Sequence, residues 1–326
     1  MALLILIITV FIASVFLSFD GENSSHTTAE TSFFETATFE EKTYAEEVSA
    51  QALAQSLQNF SAFQNSDISA PCAGLYEAHT FTPIYEKEAQ KRIHPASLAK
   101  VLTAITALSY VPSHTVFTVG SERDLVPARS SLCLIKKGQQ LTLYQLLSGM
   151  LIASGNDAAY TVAVNTARFV MDRQGVSDKE ALSYFAALMN SVAKTAGAES
   201  SDFMTPDGFD SDGQYTTIRD LAIICRYALN FSEICEIVRC DNKYVVFQSG
   251  ENVTWKNSNQ LLNRESPYYY SKAIGMKTGT TPLAGKCLMA VAEIKGKSYI
   301  SVVSGCSSED SRYKSVTDLF DFASRM

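Results

Sequence analysis

The sequence predicts an α+β fold, with an antiparallel sheet formed by N- and C-terminal segments packed with helices, plus a mainly helical middle subdomain. Residues 70–85 read as strand, turn and strand, and residues 272–279, 286–294 and 298–305 are strand-like again. Between these ends, apolar residues recur at helical spacing. The length of 326 residues, 46% hydrophobic and 19% charged, suits one compact unit with appendages, and no internal repeat divides it.

From the start of the chain, residues 2–19 are uncharged and nearly all apolar, somewhat long for a signal-peptide core and just long enough to cross a bilayer. Residues 1–19 are therefore expected to be a cleaved signal or a membrane anchor. No basic residue precedes the run and no good small-x-small cleavage site follows it. The flank after it is acidic and lacks Lys and Arg, which favours export of the C-terminal part. Residues 20–65 form an acidic, Ser/Thr-rich tether, with a helical pattern over 39–60 carried by Phe39, Tyr44, Val48, Ala52, Leu53 and Leu57. Eight acids against Lys42 within residues 20–50 account for the whole formal charge of -7. The folded domain is placed at 66–326.

Within that domain, His94-Pro95-Ala96-Ser97 begins a helix running to about Tyr110, since proline suits a first turn and Leu98, Val101, Leu102, Ile105 and Leu108 form a stripe. Several helices are expected between Leu141 and Ala198, with Ser154-Gly155-Asn156 in a turn between two of them and Gly197 as a helix stop. A further helix runs from Thr217 to about Leu229. Lys295-Gly296-Lys297 turns a hairpin between the last two strands, and a final helix spans 312–324 with Val316, Leu319, Phe320 and Ala323 on one face.

Composition excludes several classes. No Lys/Arg cluster marks a phosphate-binding surface, so nucleic acid is not an expected partner. Seven cysteines show no Cys-x-x-Cys pair and four histidines stand to join them, so no metal site is expected. The terminal hairpin would set Cys287 nearly opposite Cys306, although buried packing thiols are the preferred reading of the cysteines.

The chemistry lies in three strings met once in this order: Ser97-Leu98-Ala99-Lys100, Ser154-Gly155-Asn156 and Lys277-Thr278-Gly279. Ser191-x-x-Lys194 and Ser311-x-x-Lys314 also fit the first pattern but lack the other two strings downstream. A serine hydroxyl must pass its proton to a base to become nucleophilic, and Lys100, three residues on, lies on nearly the same helix face. A lysine serves as base when its pKa is lowered, which burial and a second cation, Lys277, would do. The helix N-terminus and the Ser97 N–H favour a developing oxyanion, with a second donor from the backbone at Thr280. Ser154 is placed to relay a proton to the leaving amine, and the Asn156 amide can both donate and accept. Lys277 and Thr278 suit a substrate carboxylate, and Gly279 would let a bound peptide approach the strand.

This ordered set resembles the penicillin-recognising serine enzymes and, more narrowly, the D-alanyl-D-alanine carboxypeptidases, the low-molecular-mass penicillin-binding proteins. The resemblance covers about 66–322. It includes Pro95-Ala96-Ser97, Ser154-Gly155-Asn156-Asp157-Ala158, Gly213-Gln214-Tyr215-Thr216-Thr217 before Arg219-Asp220, and the run from Lys277 to Gly285. It implies a β-lactamase/transpeptidase-like fold, no cofactor, Ser97 as acylated nucleophile, Lys100 as proton acceptor, Ser154 as third catalytic residue and Lys277 in substrate binding. Arg219 is similar to a family arginine that helps hold the terminal carboxylate. The implied activity is removal of the terminal D-alanine from peptidoglycan stem pentapeptides, at the extracytoplasmic face of the cell envelope, with β-lactams as covalent inhibitors. The sequence departs from the family at Thr205-Pro206-Asp207-Gly208, where Asn-Pro-x-Gly is usual. The β-rich C-terminal domain and tail of many relatives are not seen after the last helix, and an N-terminal anchor would take the tail's place. The alternatives are a transpeptidase or endopeptidase on the same site, a β-lactamase, whose deacylating Glu-x-x-Leu-Asn string is missing here, and a non-catalytic peptidoglycan-binding protein, which would have lost the nucleophile or base.

Overall fold

The computed structural model describes residues 68–173 and 175–326. The expected signal or anchor at 1–19, the tether at 20–65 with its helical pattern, and the start of the domain at Ser66 lie outside the described residues. Among the described residues no helix is long and apolar enough to cross a membrane.

The strands at the start of the domain are β1 (Cys72–Glu77) and β2 (Pro83–Lys87). A short 3-10 turn at Ala96–Leu98 runs into α1 (Ala99–Tyr110). Next come the short strands β3 (Val116–Thr118) and β4 (Gln140–Thr142), then α2 (Leu143–Ile152), α3 (Asn156–Met171) and α4 (Asp178–Ala196). After them follow α5 (Ile218–Ala228), α6 (Ser232–Val238) and a hairpin of β5 (Asn242–Val246) and β6 (Asn252–Lys256). The chain closes with β7 (Ala273–Thr281), β8 (Gly285–Ile294), β9 (Lys297–Cys306) and α7 (Glu309–Arg325). The main sheet has the order β2-β1-β9-β8-β7 with antiparallel pairs throughout, so segments from the two ends of the domain meet at the β1–β9 pairing. The predicted α+β class and sheet composition are those observed.

Both faces of this sheet are covered. On β8, Met289 and Val291 face the helical body, whereas Leu288, Ala290 and Ala292 face α7, whose Val316, Leu319, Phe320 and Ala323 are buried against them. Burying each of the larger of these side chains contributes roughly 1.5–3 kcal/mol. That two-sided burial explains why β8 reads as a continuous apolar run rather than an alternating one. Ser308 caps α7 by accepting from the Ser311 N–H, so the helix starts a turn earlier than the apolar stripe suggested.

The helix behind Ser97 is also more central than its stripe implied. Residues 99–107 are buried all round, which the small side chains of Ala99, Ala104 and Ala107 permit. The two threonines among them are satisfied internally, Thr106 by the Leu102 carbonyl and Thr103 by that of Pro206. A capping box at Thr142 and Gln145 starts α2, and Gly197, at φ 98, stops α4. The β3–β4 and β5–β6 pairs and α6 were not foreseen. Cys287 and Cys306 belong to opposite faces of the sheet, because a register shift sets Cys306 opposite Lys286; every cysteine is a free thiol.

Candidate active site

Pro95 leads into the 3-10 turn that carries Ser97. Ala96 holds a left-handed φ of 48, a conformation costly for a residue with a side chain and tolerated where surrounding structure imposes it. Two glycines make room for it. A Cβ at Gly279 would lie 2.9 Å from the Ala96 Cβ and 3.1 Å from the Ser97 nitrogen, and one at Gly208 would lie 1.8 Å from the Ala96 carbonyl oxygen. Gly279 is thus demanded by the protein's own nucleophile turn, a different reason from the substrate approach expected for it.

Lys100 is fully buried and donates to the Ser97 hydroxyl at 2.8 Å and to the Asp207 carbonyl at 2.9 Å. Burial pulls its pKa down to about 8, while the charges of Asp207 and Asp157 pull it back up. Lys277 is also buried, and its pKa falls well below the usual lysine value through burial first and then repulsion by Lys100 and Arg312. Burial, more than the neighbouring cation expected for the role, therefore readies Lys100. Among the described residues neither lysine has a carboxylate at ion-pair distance.

The turn between α2 and α3 forms a second wall. Ser154 has a left-handed φ of 59 and is buried, and its hydroxyl has no hydrogen-bond partner among the described residues. Asn156 donates through Nδ2 to the Asp207 carboxylate at 2.6 Å, leaving its Oδ1 unpartnered. Asp157, fully buried, accepts from the N–H groups of Cys133, Ile135 and Ala158 and so fastens the 131–135 loop behind this turn.

The third wall is β7, an edge strand of the sheet. Lys277 donates to the Thr278 carbonyl at 3.0 Å, and the Thr278 hydroxyl pairs with that of Ser258 at 2.7 Å. Because the Ser258 N–H donates to the Ile152 carbonyl, this strand is tied to the chain two residues before Ser154. Thr280 is exposed and its hydroxyl donates to the Gly279 carbonyl. Buried Arg312 on α7 reaches the same carbonyl at 3.5 Å and pairs with Glu309.

The structure joins Ser97, Lys100 and Asn156 through Asp207, packs Gly279 of the Lys277–Thr280 run on the Ser97 turn, and ties Thr278 through Ser258 to the chain two residues before Ser154. It does not bring Arg219 there. Arg219 pairs at 3.3 Å with Glu86 on β2, the edge of the sheet opposite β7 and about 19 Å away at the usual strand spacing. Helix α5 presents it to β1 and β2, so it is an ordinary partly exposed ion pair. Arg219→Ala is expected to cost no more than about 1 kcal/mol of stability and to leave substrate KM unchanged; a raised KM for carboxylate-bearing peptides would return it to the site. The two other Ser-x-x-Lys strings lie on α4 and α7, where Lys194 and Lys314 are exposed.

Sequence reasoning missed Arg312, Ser258, Asp207 and Asp210. The last accepts from the Thr281 hydroxyl at 2.7 Å and the Leu283 N–H, tying the 205–210 loop to the end of β7. Gln214, within the family-like Gly213–Thr217 string, braces the same loop: its Oε1 accepts from the Met204 and Thr205 N–H groups and its Nε2 donates to the Phe209 carbonyl. Thr205, the departure from the family pattern, also points its hydroxyl at that Oε1. Among the described residues no group of His, Cys, Asp and Glu is arranged to hold a metal.

A serine bonded to a buried lysine thus stands with a Ser-x-Asn turn and an edge strand carrying Lys-Thr-Gly on an α+β scaffold. A profile of the D-alanyl-D-alanine carboxypeptidases matches residues 58–308, and the chain belongs to that family. It is 29% identical over 257 residues to D-alanyl-D-alanine carboxypeptidase DacF of Bacillus subtilis, covering 78% of this chain and 62% of that protein. It is 30% identical to a D-alanyl-D-alanine carboxypeptidase of Streptomyces sp. strain K15, covering 74% of this chain and 83% of the other. The solved Streptomyces K15 DD-transpeptidase aligns with a TM-score of 0.71 at 28% identity, over 79% of this chain and 97% of that one. The chain spans less than two thirds of the Bacillus relative's length.

Proposed function

We propose that the protein is an extracytoplasmic serine-type D-Ala-D-Ala carboxypeptidase acting on peptidoglycan stem pentapeptides. The observation that carries this reading is the 2.8 Å bond from a fully buried Lys100 to the Ser97 hydroxyl, with buried Lys277 and Arg312 on the β7 side. The free edge of β7 pairs with the extended end of the peptide, as edge strands do. Lys277 and Arg312, with the Thr278 hydroxyl, hold the terminal carboxylate. Neutral Lys100 takes the proton of Ser97 as Oγ attacks the penultimate carbonyl carbon, and the Ser97 and Thr280 N–H groups receive the oxyanion. Ser154 gives its proton to the departing D-alanine amine and takes the one held on Lys100, which leaves an ester on Ser97 and a neutral Lys100. Water then attacks the ester and restores the hydroxyl.

Residues 66–326 are the catalytic domain in this reading, and residues 1–19 hold it at the envelope or direct its export. A transpeptidase is the second reading, because an amine can replace water at the ester, and the Streptomyces K15 matches bear both a carboxypeptidase and a DD-transpeptidase name.

Lys277→Ala is expected to raise KM for carboxylate-bearing peptides on the order of tenfold or more, the value of a charge-assisted bond, while affecting neutral esters less; equal losses would count against a carboxylate anchor. The test of the reading is intact mass after brief exposure to benzylpenicillin, with peptide mapping. A slowly lost adduct on Ser97 supports it, rapid turnover points to a β-lactamase, and no adduct points to a protein that only binds peptidoglycan.

A further inference from the structure

One residue touches two walls of the cleft at once. The Asp207 carbonyl takes one N–H of Lys100, its Oδ2 takes the amide of Asn156 at 2.6 Å, and its Oδ1 takes the Phe209 N–H at 3.1 Å. Its side chain is 1% exposed. A carboxylate removed from water needs such partners, and none of these three is a cation at ion-pair distance, so its negative charge is left to act on the site. The groups bearing on Lys100 from the surrounding elements are Asp207 on the 205–210 loop, Asp157 on α3, Cys133 on the 131–135 loop and Lys277 on β7. Burial raises the Cys133 thiol well above its ordinary pKa, so it stays neutral, and the Asp157 charge is spread over three backbone N–H groups.

We propose that Asp207 is a positioning residue of the acyl-transfer site, whose carboxylate fixes the direction of the Asn156 amide and sets a negative charge beside Lys100, which its carbonyl holds. The inference rests on the acyl-transfer reading above. Its first consequence concerns recognition. With one Nδ2–H committed to Asp207, the Asn156 amide is fixed in direction and its unpartnered Oδ1 is an acceptor for an N–H of Lys100 or of the peptide. Its second concerns the base. A lysine that holds its proton more tightly accepts one from Ser97 more readily, but a smaller fraction is neutral near neutrality. Replacing the charge by an amide should therefore make Lys100 neutral at lower pH and also a weaker base. Asn at 207 also presents an N–H toward Asn156 and reverses that amide.

The experiment is the second-order rate of acylation by benzylpenicillin from about pH 6 to 10, a range in which the drug's carboxylate stays ionised, for the unaltered protein and Asp207→Asn. In the unaltered protein the rate rises through about pH 8 as Lys100 loses its proton. In Asp207→Asn this limb is expected to move about one unit lower, a roughly tenfold gain on the limb relative to each protein's own plateau, while the plateau itself falls. Asp207→Ser, equally uncharged, should move the limb in the same direction. A limb that stays in place while rates fall at every pH would show packing alone and overturn the inference, as would the absence of a cooperative melting transition in both variants. An unaltered protein that forms no adduct would instead remove the acyl-transfer reading itself, and the inference with it.

Discussion

Ser97→Ala is expected to melt within a few degrees of the unaltered protein and to form no covalent adduct with benzylpenicillin. Ser97 is partly exposed and its hydroxyl receives a single bond, from Lys100, whose amine keeps the Asp207 carbonyl as a partner when the hydroxyl is gone. The structural loss is therefore small. The chemical loss is not, because the ester has no other oxygen to form on, and removal of a nucleophile from a triad-like unit costs on the order of a million-fold in turnover. The readouts are intact mass and a thermal melt of the same sample. An adduct surviving in the variant would place the nucleophile elsewhere, with Ser154 the first position to map.

Gly208→Ala is expected to be the most damaging added methyl among the described glycines. The added carbon would stand 1.8 Å from the Ala96 carbonyl oxygen, a main-chain atom that moves only with the Ser97 turn, and Gly208 has a φ of 76. Gly213 supplies the control. It has a φ of 81 but open space around its missing side chain, so alanine there meets only the left-handed backbone cost of about 1–2 kcal/mol. Gly208→Ala adds a main-chain collision and should cost at least about 3 kcal/mol, lowering Tm on the order of 10 °C and slowing acylation in the fraction that folds. Equal melting temperatures for the two variants would mean that the 205–210 loop does not brace the nucleophile turn.

The parts of the fold legible in the sequence were those with long periodic signals. The stripe behind Ser97, the Gly197 stop and the terminal hairpin turning at Lys295-Gly296 all correspond to observed elements, with ends moved by a few residues. The β3 and β4 strands span three residues each, too few for alternation to register, and they form only because partners from distant sequence meet. The site divides in the same way. Short strings announced the cleft, since their spacing puts Lys100 under Ser97 and Gly279 in a strand. What could not be read was which distant groups complete it. Arg312 is one charge among several on an amphipathic helix, and nothing in its neighbours reveals that its side chain reaches the Gly279 carbonyl on the Lys277 strand. Arg219 shows the converse: a string near it resembles the family, yet only the strand order reveals that its helix end lies at the far edge of the sheet. Asp207 sat within a string that was noticed for its departure at Thr205, while its own contacts depend on the fold that folds Asn156 over it.

Ser97, with Lys100 as its base, is expected to release D-alanine from a peptide ending in D-Ala-D-Ala. The most direct test is D-alanine release from a stem pentapeptide by the unaltered protein, with and without prior reaction with benzylpenicillin. One D-alanine per peptide consumed is expected, with release lost in proportion to the fraction of Ser97 carrying the drug. Release that continues after Ser97 is fully acylated, or a Ser97 adduct in a protein that leaves the pentapeptide intact, would contradict it.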